Sequence, residues 1–94
     1  MRPVIVSDKH LVGLLGTAGK AIAGMPEGPR VVETLRKARS RDDLLFVLRG
    51  ADLSLADPAR KVVTDAARGD WEGVRATLLR SAEMQLAERY HANA

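Results

Sequence analysis

The stretch Asp8-Lys9-His10-Leu11-Val12-Gly13-Leu14-Leu15-Gly16-Thr17-Ala18-Gly19-Lys20-Ala21-Ile22-Ala23-Gly24-Met25 decides the fold class. Leu11, Leu15, Ala18, Ile22 and Met25 recur at intervals of three and four, the spacing that lines one face of an α-helix. Asp8 stands where a carboxylate can accept from the first free amides of that helix, so it is the expected N-cap. Gly13, Gly16 and Gly19 recur at every third residue. Each lowers helix propensity by about 1 kcal/mol relative to alanine. A helix that keeps three of them is expected to be compensated by close backbone contact, either at the centre of a bundle or against another protein. The three glycines are therefore the candidate protein interface.

Working outward, Gly24-Met25-Pro26-Glu27-Gly28-Pro29 reads as a turn, with Pro29 suited to the first position of a second helix. That helix is expected to run to about Arg39, with Val31, Val32, Leu35 and Ala38 inward and Arg30, Glu33, Thr34 and Lys37 outward. Ser40-Arg41-Asp42-Asp43 has the pattern of a capping box with aspartate in the reciprocal place, and Leu44, Leu45, Val47 and Leu48 then point inward until Gly50. Asp57-Pro58 repeats the start signal, a cap followed by proline, for a helix carrying Val62, Val63 and Ala66 and closed by Gly69. Asp70 opens a last helix with Trp71, Val74, Leu78, Ala82 and Leu86 inward, Tyr90 near its end, and Arg75, Arg80, Glu83 and Arg89 on the polar side. Val4-Ile5-Val6, within residues 1–7, reads as a short extended arm, and residues 91–94 as a frayed tail. The expectation is an all-α protein: one domain, 1–94, built as a compact bundle of four to five short helices.

Two parts of the chain resemble each other. Pro29, Val31-Val32, Ala38-Arg39-Ser40 and Leu48-Arg49-Gly50-Ala51 recur as Pro58, Val62-Val63, Ala67-Arg68-Gly69 and Leu79-Arg80-Ser81-Ala82. Two similar helical hairpins would produce this pattern, and so would chance. Two such units are too few to bury themselves as a solenoid, which leaves a compact bundle.

Composition narrows the classes of function. In 94 residues there is room for one core, and with Phe46, Trp71 and Tyr90 the only aromatics, aliphatics and alanine must fill it. The absence of cysteine removes disulfides, thiol nucleophiles and thiolate metal sites, and fits a reducing, cytoplasmic setting. The longest uncharged run, His10 to Gly19, is half of the roughly 20 residues a membrane-spanning helix needs. Leu11 to Ala18 followed by Ala21-Ile22-Ala23 has the outline of a cleaved leader, but Asp8, the glycines and Lys20 argue against one.

Catalytic motifs are incomplete. Leu15-Gly16-Thr17-Ala18-Gly19-Lys20-Ala21 approaches a phosphate-binding loop, yet Leu14 stands where the first glycine belongs and Ala21 replaces the hydroxyl that holds magnesium. His10 and His91 are the only histidines, and neither has a second ligand at helical spacing. Asp42 and Asp43 lie in a first helical turn, where the helix dipole favours carboxylates without any acid–base role. No serine has a base partner of the kind nucleophilic catalysis requires. Neither a catalytic site, a metal site nor a cofactor is expected.

Charge supplies the remaining signal. The chain carries a formal +3, but Arg30, Arg36, Lys37, Arg39 and Arg41 face Glu33 alone between residues 30 and 41, a local +4 that leaves −1 for the rest. Clustered arginines around one helix end suit forked contacts to a phosphate backbone. They equally suit a solvated face that closes off a helix C-terminus. No aromatic is interleaved with them, so base stacking is not indicated.

Residues Asp8 to Leu48 resemble the small helical subunit of Cascade-type CRISPR interference complexes. The resemblance lies in the glycine-bearing Leu11-Val12-Gly13-Leu14-Leu15-Gly16 and in Val31-Val32-Glu33-Thr34-Leu35-Arg36-Lys37-Ala38-Arg39-Ser40-Arg41-Asp42-Asp43-Leu44-Leu45. It covers about half of the chain and includes no diagnostic motif. It implies a small helical bundle within an antiviral nucleoprotein complex, touching guide RNA or target DNA through basic surfaces and neighbouring subunits through apolar ones. The expected function is a non-enzymatic subunit of a nucleoprotein assembly that contacts RNA or DNA backbone through Arg30, Arg36, Lys37, Arg39 and Arg41. The alternative is a helical protein–protein interaction module or homodimeric bundle without nucleic-acid binding.

Overall fold

The computed structural model of the chain describes residues 8–92, with side chains described through residue 89. The expected arm 1–7, the end of the tail and the side chain of Tyr90 lie outside these. Among the described residues five helices follow one another: α1 (Lys9–Gly24), α2 (Gly28–Lys37), α3 (Arg41–Gly50), α4 (Asp57–Gly69) and α5 (Trp71–Ala92). The radius of gyration is 12.5 Å. The all-α bundle expected from periodicity is the fold observed.

Local chemistry sets most helix ends. The Asp8 carboxylate accepts from the amides of His10 (2.9 Å) and Leu11 (3.3 Å), satisfying two donors that the first turn of α1 leaves free. Ser40 caps α3 through its hydroxyl oxygen, which accepts from the Asp43 amide at 3.2 Å. The return bond differs from a capping box by one residue: the Asp43 carboxylate accepts from the amide of Arg39, not of Ser40, at 3.0 Å. Asp70 accepts from the Gly73 amide at 3.1 Å and opens α5 as expected.

Three boundaries depart from the sequence reading. Ala38 takes extended angles (φ −63°, ψ 125°), so α2 stops at Lys37 and Arg39 belongs to the connection into α3. Pro29 follows Gly28 in α2, so it is the second helical residue and not the first. Ala56, not Asp57, is the residue before α4. Asp57 lies inside the first turn, where its charge faces the helix dipole without a capping hydrogen bond.

The core is aliphatic. Leu15, Ile22, Leu35, Leu44, Leu53 and Leu78 are its largest fully buried side chains, and no polar or charged residue is buried among the described residues. On α4 the inward residues are Val63 and Ala67, whereas Val62 is 39% exposed. Trp71 and Leu86 only flank the core. The connection between α3 and α4 contributes as much as a helix does: Ala51 and Leu53 are buried, Leu55 packs beside them, and Asp52 and Ser54 between them are exposed. The alternation is not that of an extended strand: Ser54 has φ 56° and donates its amide to the Asp52 carboxylate, so the segment turns as it lays Ala51, Leu53 and Leu55 against the bundle as a plug.

The suggested internal repeat is carried by the starts of α2 and α4, each with proline near its N-terminus and one valine of its pair buried, Val32 and Val63. The following helices differ in length, 10 residues for α3 and 22 for α5.

The most extensive helix contact joins α1 to α5. It closes at Gly19, where a Cβ would sit 2.7 Å from the Cβ of Ser81 and 2.9 Å from the amide nitrogen of Ala82. Among the described residues, nothing would stand within 4 Å of a Cβ at Gly13 or Gly16. Gly19→Ala should therefore destabilise the chain by about 1–3 kcal/mol through overpacking, while Gly13→Ala should stabilise it by about 0.5–1 kcal/mol through the lost unfolded-state entropy of glycine. Urea denaturation reads both, and a Gly19→Ala variant as stable as the parent contradicts the packing described.

Candidate functional site

The five cations of the expected phosphate-binding patch are all exposed, but their surroundings differ. Arg36 projects from the last turn of α2 between two carboxylates. One Nη donates to Glu33 on the same helix and the other donates to Glu83 on α5 at 2.6 Å. Lys37 lies 3.8 Å from the other oxygen of Glu33. The hydrogen bond to Glu83 is the largest influence raising the Arg36 pKa above its ordinary value, with the charge of Glu83 and the bond to Glu33 adding to it and partial desolvation opposing it. Arg36 thus ties α2 to α5, and half of its side chain remains in solvent, where such pairs contribute little to stability.

Arg30, Arg39 and Arg41 form no ion pair among the described residues. Arg30 stands at the start of α2, Arg39 in the α2–α3 connection and Arg41 at the start of α3. The local excess of positive charge is real, but its free part is these three arginines.

Two further arginines have structural duties. Arg60 on α4 sends one Nη to the carbonyls of Leu48 (2.6 Å), Ala51 (3.2 Å) and Arg49 (3.4 Å), closing the C-terminus of α3. Arg75, expected on the polar side of α5, instead turns inward and donates to the Leu35 carbonyl near the end of α2 at 3.3 Å, with its Nε buried and unpartnered. Both place a cation at the negative end of a helix dipole. Gly50 ends α3 without left-handed geometry, so closure falls to Arg60.

The glycine face divides. Gly19 is consumed by the chain's own α1–α5 contact, and the Gly16 carbonyl accepts from the Ser81 hydroxyl at 3.4 Å. Gly13 is exposed. Of the two roles weighed for these glycines, Gly19 takes that of a central packing position.

The feature that sequence reading did not single out is Phe46, which is 76% exposed. Its neighbours Leu44, Leu45, Val47 and Leu48 are all buried. At 3.6 residues per turn these four cover an arc of about 160°, and residue 46 falls opposite its centre. The position was readable from α3; what surrounds it was not. On one side Phe46 joins Met25, Glu27, Val31, Thr34, Val47, Gly50, Ala51 and Asp52 around a groove of about 370 Å³. On the other it joins Thr34, Lys37, Ala38 and Asp43 around a smaller hollow of about 190 Å³. An aromatic therefore does lie beside the basic stretch, brought there by the α2–α3 packing and not by sequence adjacency.

Among the described residues no group of three or more histidine or acidic side chains is placed to hold a metal ion, and no helix is long and apolar enough to cross a membrane. Arg60→Met should lower stability by about 1.5 kcal/mol, the loss of a charged hydrogen-bond donor to carbonyls that are only part-buried or exposed. Thermal denaturation measures it, and an unchanged midpoint contradicts the capping role. Comparison of the chain with protein-family models, with curated proteins and with solved structures found no match.

Proposed function

We propose that this chain is a non-enzymatic helical interaction subunit of a larger assembly, and that the face formed by α2 and α3 is its docking surface. The observation that carries the reading is Phe46. A large aromatic held in water on an otherwise correctly buried amphipathic helix forgoes about 1.5–3 kcal/mol of burial. The fold has no use for it where it stands. A partner that covers it recovers that free energy, and exposed aromatics with adjoining hollows are what interface anchors look like before binding.

A second reading is favoured by Arg30, Arg39 and Arg41, three exposed arginines without ion pairs among the described residues. They would contact the phosphate backbone of RNA or DNA in a nucleoprotein assembly, as the resemblance of Asp8 to Leu48 to Cascade-type small subunits also suggests. Lys37 beside Phe46 would extend that surface. Against it stand Glu33 and Glu83, which occupy Arg36, and Asp42 and Asp43 next to Arg41. Protein docking therefore ranks first.

Phe46→Ala should leave stability within about 0.5 kcal/mol, as substitutions at exposed positions do. It should remove whatever protein co-purifies in stoichiometric amount with the parent chain from its own cells, read by quantitative mass spectrometry of both preparations. Identical preparations contradict the protein-docking reading. For the second reading, fluorescence anisotropy with single-stranded RNA, single-stranded DNA and duplex DNA at two salt concentrations is decisive. Replacing Arg30, Arg39 and Arg41 with glutamine should shallow the salt dependence by about 0.7–0.9 log units per lost phosphate contact. Absence of binding at low salt removes that reading.

A further inference from the structure

We infer that the groove beside Phe46 receives a protein segment in which an aliphatic or aromatic side chain is flanked by lysine or arginine. This rests on the reading of the α2–α3 face as the docking surface and adds the chemistry of its occupant.

The groove has an apolar floor and an acidic rim. Among the described residues, Met25, Val31, Phe46, Val47 and Ala51 supply the apolar lining and Glu27 and Asp52 the only charges, with no lysine or arginine in the lining. Neither carboxylate forms an ion pair among the described residues. Glu27 makes no capping hydrogen bond to α2, and Asp52 accepts only from the amide of Ser54, at 3.0 Å. On a chain of net positive charge, two unpaired carboxylates at one apolar groove mark a local reversal of sign. That reversal decides between occupants. A phosphate backbone laid across the groove would meet both carboxylates and be repelled, whereas a basic flank on a peptide would pair with them.

The neighbouring cations set a direction. Arg30 lines an adjoining hollow with Pro26, Glu27 and Pro29, and Lys37 lines the hollow on the far side of Phe46. Asp52 shares neither hollow with a cation, so the basic flank of the segment lies toward Asp52, and its apolar residue against Phe46. At about 370 Å³ the groove falls at the small end of the range for binding pockets, enough for an anchoring side chain and part of its neighbour.

The test is selection of a phage-displayed library of random 12-residue peptides on the full chain, followed by anisotropy of the enriched peptides as labelled synthetic molecules. Each is measured against the parent, Phe46→Ala and the double variant Glu27→Gln with Asp52→Asn, after circular dichroism has shown that the variants keep their helices. The double variant removes charge while retaining the hydrogen-bond acceptor on Asp52. The expected result is enrichment of lysine or arginine next to leucine, isoleucine, valine or an aromatic. Affinity should fall at least tenfold in Phe46→Ala and in the double variant, and the parent complex should weaken with salt. Peptides lost in Phe46→Ala but indifferent to the double variant overturn the groove chemistry and leave the docking face standing. Peptides indifferent to Phe46, or no enrichment at all, overturn both. Labelled oligodeoxythymidylate serves as the parallel probe. If it binds through Phe46 and no peptide does, the aromatic stacks on bases and the inference is overturned.

Discussion

Everything else in this molecule depends on the approach of α1 to α5 at Gly19. A thin aliphatic core, in which no aromatic and no polar residue is wholly buried among the described residues, gains its stability from the closeness of its helices, because it has few large side chains to span a gap. Gly19 lets Ser81 and Ala82 come to distances at which any side chain would collide. With that contact made, Leu15, Ile22, Leu78 and Ala82 close over one another, and α2 and α4 are laid against α5. A second close approach, at Gly28, where a Cβ would stand 2.5 Å from the Ile22 carbonyl, turns the chain from α1 into α2. The α2–α3 face is thereby presented on a rigid support.

The arginines divide the same architecture by task. Arg60 and Arg75 are spent inside, each on the open carbonyls at the end of a short helix. Arg36 joins α2 to α5 across Glu83. These duties explain why a chain rich in arginine has a smaller free positive surface than its composition suggests. Counting cations along residues 30 to 41 overstates the patch, because Glu83, which meets Arg36, lies 47 residues further along the chain.

Periodicity and capping chemistry made most of the fold legible. All five helices, the cap at Asp8, the start of α3 at Ser40 and the inward sets Leu44, Leu45, Val47, Leu48 and Val74, Leu78, Ala82 follow from local signals. What was not legible is what required a partner from elsewhere in the chain. The distinction between Gly19 and its neighbours Gly13 and Gly16 depends on where Ser81 arrives. The inward turn of Arg75 depends on the free Leu35 carbonyl. The alternating apolar residues of the plug, Ala51, Leu53 and Leu55, were too short a signal to weigh against the helices around it. Of the site, the outward position of Phe46 was implicit in its four buried neighbours. The groove was not, since Met25, Val31 and Ala51 come from three different segments.

On the docking reading proposed above, the exposed aromatic, the basic side and the acid-rimmed groove of the α2–α3 face would give a partner one orientation. The most direct measurement is site-specific photo-crosslinking in the cells that make the protein, with a photoreactive phenylalanine analogue placed at Phe46 and, in a separate preparation, at the exposed Lys61 on α4. A discrete protein adduct from position 46 that is absent from position 61 is the predicted result. Equal adducts from both positions, or none from position 46, contradict the assignment of α2 and α3 as the docking face.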